Sequence, residues 1–224
     1  MKRAIAKAQA IDTTQGVRPA MQARSLRKRY DLLKAGRKLL HNRVFEDISV
    51  KEICAEADCT VGSFYSRFDD KASYFDALIA ESCQEMLNRA EEEFDEKSWE
   101  KVSAAQIADQ VVLFLVDIFQ GEYSSILTES FLRESKGGLQ STPMRDVGYA
   151  FINTVGRLLI SHINTTLHPD PLRGLAFGLQ IIYGSLHNAR LRDSGPIPFY
   201  SDEFRHLLCL MFKQYLGLRE SLAQ

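Results

Sequence analysis

Residues 44–78 read VFEDISVKEICAEADCTVGSFYSRFDDKASYFDAL, and their spacing predicts three helices in quick succession. Ser49-Val50-Lys51-Glu52 has the form of a capping box, in which the Ser49 hydroxyl and the Glu52 carboxylate satisfy amides that a helix start leaves unbonded. The helix beginning near Val50 buries Val50, Ile53, Cys54 and Ala57 and stops around Asp58-Cys59, where Asp58 tolerates a left-handed turn. Thr60 is the expected N-cap of a short helix from Val61 to Phe68. Asp69-Asp70 then opens a longer helix through Tyr74, Leu78 and Met86 towards the acidic stretch Glu91 to Glu96. Two helices joined by so few residues make a helix-turn-helix. On the short helix, Phe64 and Phe68 share one face, suited to packing on Ile53 and Ala57, while Gly62, Ser63, Ser66 and Arg67 share the other, small and polar.

Upstream, Leu26, Tyr30, Leu33, Arg37 and Leu40 fall at helical spacing and predict an amphipathic helix from Arg24 to His41-Asn42 with a basic exposed face. Residues 1–22 have no sustained apolar face, contain Gly16 and Pro19, and read as a mobile basic arm carrying Lys2, Arg3, Lys7 and Arg18. Downstream of Trp99, helices are expected near 101–120, 122–135, 142–167, 171–192 and 201–217, punctuated by Gly121, Gly137-Gly138, His168-Pro169-Asp170-Pro171 and Gly195-Pro196-Ile197-Pro198. No alternating strand pattern of useful length occurs, so the fold class is all-α. The expected organisation is an arm over 1–22, a DNA-binding unit over 23–70, and a helical body over 71–224 whose first part, 71–96, is a connecting helix.

The charge is divided unevenly. Of the 28 Lys+Arg and 29 Asp+Glu, residues 1–71 hold 15 basic against 9 acidic, while residues 72–224 hold 13 against 20. A basic N-terminal third on an acidic body suits a molecule that meets a polyanion at one end. With 45% hydrophobic and 25% charged residues in 224, the chain can build a sizeable core. It has no apolar run of membrane-spanning length and no secretory leader pattern, so a cytoplasmic protein is expected. Cys54, Cys59, Cys83 and Cys209 show neither CxxC spacing nor the density of a disulfide scaffold, which reads as reduced thiols and no metal site.

The stretch resembles the DNA-binding signature of the TetR family of transcriptional regulators. The elements in register are Phe45, Ser49, Ile53, Ala57, Gly62, Ser63, Phe64, Tyr65, Phe68 and Lys71. The resemblance covers about fifty residues; beyond them only length and helical layout agree. It implies that the helix from Val61 enters a major groove, with Gly62 and Ser63 close to base edges, and that Tyr65 and Lys71 hold phosphates. The DNA-contacting set expected on this basis is Ser49, Thr60, Val61, Gly62, Ser63, Tyr65, Ser66, Arg67 and Lys71, with Arg67 reaching a guanine or a phosphate. Two departures stand out: Val61 occupies a position often polar in the family, and Asp58 stands where glycine is common.

The resemblance further implies a homodimer through the helices near 171–192 and 201–217, a palindromic operator in double-stranded DNA, and a small-molecule inducer held by the body. Leu175, Leu179, Ile182 and Leu186 with Gly174, Gly178 and Ser185, and Phe204, Leu207, Leu208, Met211, Phe212 and Tyr215, give those two helices broad apolar surface. Candidate ligand-contacting residues are Trp99, Phe114, Phe119, Phe131, Met144, Phe151, His162, Tyr183 and His187, bulky apolar walls with occasional polar tips that favour a hydrophobic organic ligand. No cofactor is expected. An enzyme is disfavoured because GxSxG, HExxH, P-loop and strand-linked GxGxxG patterns are all missing from the sequence. A ligand-released repressor is the expected function; an activator of the same family, or a helical protein-binding adaptor with a lapsed DNA-binding motif, are the alternatives.

Overall fold

The computed structural model describes residues 14–18, 23–41, 43–137, 143–163, 168–192 and 195–218. Among the described residues the helices are α1 Ala23–Leu40, α2 Val50–Glu56, α3 Val61–Tyr65, α4 Lys71–Glu93, α5 Glu96–Trp99, α6 Ala104–Gln120, α7 Ser124–Gly137, α8 Pro143–His162, α9 Pro171–Arg192 and α10 Asp202–Leu216, with a 3-10 turn at Phe45–Asp47 between α1 and α2. The all-α expectation holds, and the extended pairing among the described residues is one isolated bridge between Val17 and Phe68. No single described helix is long and apolar enough to cross a membrane.

Backbone contacts divide the chain into two units, residues 1–86 with 122–147 and residues 87–121 with 148–224. The first unit is built around an aromatic cluster on one side of α1. Phe64, Phe68, Tyr74 and Phe75 are fully buried, and Phe45 nearly so. Tyr74 sits between the rings of Phe64 and Phe68 at 5.2 and 5.1 Å, and Phe75 lies 4.3 Å from Phe45. The Tyr74 hydroxyl donates to the carbonyl of Leu32 at 2.8 Å inside this apolar cluster, so the one polar atom of the cluster is satisfied. Burial pushes its phenol above the ordinary range. Gly36 makes the arrangement possible, because a Cβ there would lie 1.9 Å from the Tyr74 hydroxyl.

The same face of α1 carries Arg37, which pairs with Glu85 and with Glu81 on α4, the latter at 3.4 Å, and lies 5.8 Å from the centre of the Tyr123 ring. Burial works against this charge, yet the Glu85 hydrogen bond and the two carboxylates outweigh it and hold the guanidinium above its ordinary value. From α7, Arg133 lies over the rings of Phe75 and Phe45 at 4.1 and 5.2 Å, and Ser125 donates to the carbonyl of His41. α7 thus packs with the N-terminal elements despite following α6 in sequence.

In the second unit, α6 and α10 are laced together by polar contacts flanking an apolar seam. Lys213 pairs with Asp109 at 2.9 Å, Arg205 with Asp117 at 3.0 Å, and Arg205 also donates to Gln120 at 2.6 Å. Gln120 in turn donates to the carbonyl of Phe199 at 2.6 Å. Val111, Val112, Leu115, Leu208 and Phe212 are buried in this unit, and α9 closes on α10 at Gly178, where a Cβ would lie 2.9 Å from the Phe212 ring.

Two local outcomes differ from the sequence reading. The short helix stops at Tyr65 rather than Phe68, because the Arg67 amide donates to the Phe64 carbonyl at 2.9 Å and not to that of Ser63, which accepts from the Arg67 guanidinium and the Ser66 hydroxyl instead. Residues 14–18 of the expected arm pack on the fold beside it, the Arg18 amide donating to the Arg67 carbonyl at 2.8 Å and the Asp69 amide to the Gly16 carbonyl at 2.9 Å, with Val17 buried and Arg18 paired to Asp69 at 3.3 Å; Lys2, Arg3 and Lys7 lie outside the described residues. The 3-10 turn and α5 carry no clear sequence signal. Replacing Gly36 by Ala is expected to cost about 1–3 kcal/mol through overpacking against Tyr74, measured as a lower midpoint of urea unfolding.

Candidate nucleic-acid interface

The helix-turn-helix is fixed at both ends by its own side chains. At the start of α2, the Ser49 hydroxyl accepts from the Glu52 amide at 3.2 Å while Glu52 accepts from the Ser49 amide at 2.7 Å, which is the expected capping box. Arg43 adds a third partner to Glu52 at 2.6 Å. This ion pair was not legible from spacing alone. At the end of α2 the amides of Asp58 and Cys59 donate back to the carbonyls of Ala55 and Cys54 at 3.3 and 2.9 Å, with Asp58 left-handed at φ 47°. This is the pattern that ordinarily calls for glycine. Asp58 is held there by Lys28 of α1, whose ammonium donates to its carbonyl at 3.2 Å. Thr60 then caps α3 by accepting from the Ser63 amide at 3.1 Å.

α3 presents the two faces expected of it. Phe64 is fully buried, together with Ile53 of α2. Outward lie Val61, 37% exposed, Gly62, Tyr65, 46% exposed, and Ser66, with Ser63 half-buried beside them. Thr60 joins this surface from the cap. Gly62 is the informative residue. A Cβ at that position would meet only the Thr60 hydroxyl, at 3.8 Å, so nothing inside the protein requires glycine there. Glycine in a helix costs up to about 1 kcal/mol relative to alanine, and no neighbour within the protein requires it there.

Three of the other expected contact residues are engaged within the protein. Arg67 folds back over the end of α3, donating to the Ser63 carbonyl at 2.6 Å and to the Ser66 hydroxyl at 2.8 Å. Lys71 donates to the carbonyls of Phe45 and Glu46 at 2.7 and 3.0 Å and lies 4.5 Å from the centre of the Phe45 ring, so it ties α4 to the 3-10 turn. Ser49 spends its hydroxyl on the cap. The outward surface of α3 and its cap is Thr60, Val61, Gly62, Ser63, Tyr65 and Ser66, of which the Thr60 hydroxyl also caps the helix and the Ser66 hydroxyl donates to the Ser63 carbonyl at 2.8 Å.

The nine candidate ligand residues divide between the units. Phe131, largely exposed, and Met144 belong to the first. In the second, Phe114 stacks on Phe151 at 5.6 Å, and Phe94, which sequence reasoning missed, lies within 5.4 to 6.1 Å of Phe114, Phe151 and Trp99. His162 closes this group, its two ring nitrogens lying 3.0 Å from the Trp99 carbonyl and 2.8 Å from that of Leu158. Apart from these, Phe119 contacts His187 edge-on at 4.8 Å and Tyr183 at 6.1 Å. Burial raises the Tyr183 hydroxyl above its ordinary value.

Residues 32–78 match the family described as bacterial regulatory proteins, tetR family. No curated protein sequence matches the chain. Among solved structures, a protein of Mesorhizobium loti described as a tetR-family transcriptional regulator is similar at TM-score 0.64 and 14% identity, over 88% of this chain and 98% of that one. A tetR-family regulator of Streptomyces coelicolor is similar at TM-score 0.60 and 16% identity, over 84% and 78%. The Bacillus subtilis regulator FadR, solved in complex with stearoyl-CoA, is similar at TM-score 0.57 and 15% identity, over 85% and 99%. At such identities the likeness is one of fold.

The Arg43 and Ser49 hydrogen bonds pull the Glu52 carboxyl down from 4.5 to about 2. A folded value below the ordinary one means that the contribution is complete above pH about 4.5 and is lost as pH falls towards about 2. The difference in urea midpoint between the protein and Glu52→Gln should therefore be largest near neutral pH and shrink below about 4.5. A difference independent of pH would contradict the assignment.

Proposed function

We propose that the chain, whose residues 32–78 match the tetR family of bacterial regulatory proteins, is a DNA-binding transcriptional regulator of that family, a dimeric repressor that reads a palindromic operator with α3 and is released by a hydrophobic organic ligand. The observation that carries the reading is Gly62, a helix glycine in open space at the centre of an exposed surface of small and polar groups. A major groove admits a helix whose leading face is this narrow. In this reading the Ser63 hydroxyl meets base edges and Val61 a thymine methyl. Tyr65 and the positive end of α4 suit phosphates.

Dimerisation follows from surface that one copy leaves bare. On α9, Phe177, Ile181, Gly184, Asn188 and Leu191 recur at steps of four and three, with Phe177 and Leu191 exposed and Gly184 facing open space. On α10, Leu207 and Leu210 are likewise exposed. A second copy of the same two helices, related by a two-fold axis, covers both stripes in a four-helix arrangement and supplies a second α3, one helical turn of DNA or about 34–36 Å away. The aromatic group Phe94, Trp99, Phe114 and Phe151 is the wall we assign to a hydrophobic ligand. The stearoyl-CoA bound by the FadR neighbour has an acyl chain of that character.

Selection from a random pool of 30-base-pair duplexes should enrich an inverted repeat, with binding that weakens steeply as salt rises, as several phosphate contacts require. Gly62→Val should keep the fold and lose about a hundredfold in affinity for the enriched duplex, and Tyr65→Ala about tenfold; an unchanged affinity for Gly62→Val ends the groove reading. Phe177→Glu combined with Leu207→Glu should convert the dimer to a monomer in analytical ultracentrifugation and abolish tight operator binding. A wild-type protein that sediments as a monomer at micromolar concentration would refute the dimer.

A further inference from the structure

Cys54 on α2 is buried and Cys59, in the turn before α3, is half-buried; both are free thiols. The turn that ends α2 draws them together. The Cys59 amide donates to the Cys54 carbonyl at 2.9 Å with left-handed Asp58 between them, and in a helix-ending turn of this kind the side chains at its two ends ordinarily touch. A six-residue loop closed in this way brings its end residues within the Cα separation that disulfides span, about 4.4–6.8 Å. We propose that Cys54 and Cys59 form a thiol pair that hydroperoxides oxidise to a disulfide, and that this bond weakens DNA binding by displacing the start of α3. The second half rests on the DNA-reading role of α3; the first does not.

The chemistry closes without a further reagent. Cys59, the more exposed sulfur, attacks a peroxide oxygen; the O–O bond breaks, leaving a sulfenic acid on Cys59 and releasing water or an alcohol. The Cys54 sulfur then attacks the Cys59 sulfur, the S–O bond breaks, and the hydroxyl leaves as water with the Cys54 proton. Two thiols have lost two electrons and two protons between them, and the peroxide has taken up both. Burial pushes the Cys54 thiol up to about 11, which suits it to resolve the sulfenic acid rather than to start the reaction. The other two cysteines compete poorly, since Cys83 and Cys209 are buried and pushed up to about 12.

The consequence follows from position. Cys59 precedes Thr60, whose side chain caps α3, and follows Asp58, whose carbonyl is held by Lys28. Closing a covalent bond of about 2.05 Å between the two sulfurs pulls on the segment between these two anchors. A site that reads base edges tolerates displacement of only about 0.5 Å.

The test uses the full chain. Reduced protein selects its duplex from the random pool; it is then treated with hydrogen peroxide, and free thiols are alkylated before digestion with trypsin. Both cysteines fall in peptide 52–67, so the bridge appears as that peptide about 2 Da lighter and unalkylated. Affinity for the selected duplex should fall at least about tenfold and return with dithiothreitol, while Cys59→Ser, which cannot form the bridge, should bind the duplex before and after peroxide alike. Peptide 52–67 carrying two alkyl groups after peroxide overturns the pair, and a bridge with undiminished affinity overturns the switch. Reduced protein that enriches no duplex counts against the DNA-reading role, and the mass of peptide 52–67 then decides the thiol pair by itself.

Discussion

The buried hydroxyl of Tyr74 is the constraint from which the N-terminal unit is built. A phenol enclosed by Phe64 and Phe68 has to find an acceptor, and it finds the Leu32 carbonyl in the middle of α1, reachable only because Gly36 has no side chain. That single bond fixes the depth at which α4 meets α1. The rings around it fix α3, because Phe64 and Phe68 are the inward side chains of α3 and the turn that follows it. Placement of the outward residues is thus a consequence of inward packing: Thr60, Gly62 and Tyr65 point away because Phe64 and Phe68 cannot.

Around this cluster the charged residues act mainly as ties within the protein. Arg37 joins α1 to α4 through Glu81 and Glu85, Lys71 joins α4 to the 3-10 turn, and Arg43 stiffens the cap of α2. Each draws on the basic excess that marks residues 1–71. A surplus of cations near a nucleic-acid surface does not therefore translate into the same number of phosphate contacts, and the salt dependence of binding will report fewer than a count of Lys and Arg suggests. In the second unit the same device recurs on α6, where Asp109 and Asp117 are met by Lys213 and Arg205 of α10. These ties leave the stripe of Phe177 and Leu191 on α9 exposed.

Much of the site was legible before any coordinates. Ser49 with Glu52, Thr60 before Val61, and Asp58 at the turn are local signals, since a cap or a left-handed residue is decided by groups three or four positions apart. The inner face of α3 was legible because Phe64 and Phe68 repeat at helical spacing. Helix bounds within the body fell within a few residues because Gly and Pro mark them. What the spacing missed is the bridge from Val17 to Phe68, the packing of residues 14–18, the Arg67 guanidinium turned back on Ser63, which ends α3 early, and Phe94 joining Trp99, Phe114 and Phe151.

Sequence by itself determined the helical class, the position of the helix-turn-helix and the identity of its outward face, because hydrogen-bonded caps and amphipathic period are properties of neighbouring residues. Tertiary structure alone decided which basic residues are spent internally, that α7 packs with the N-terminal elements, and that Gly36 is required by packing while Gly62 is not. Those outcomes depend on which atoms meet across tens of residues of chain. A glycine in a helix reads the same in sequence whether a tyrosine or empty space lies against it, and only the packed neighbours tell the two apart.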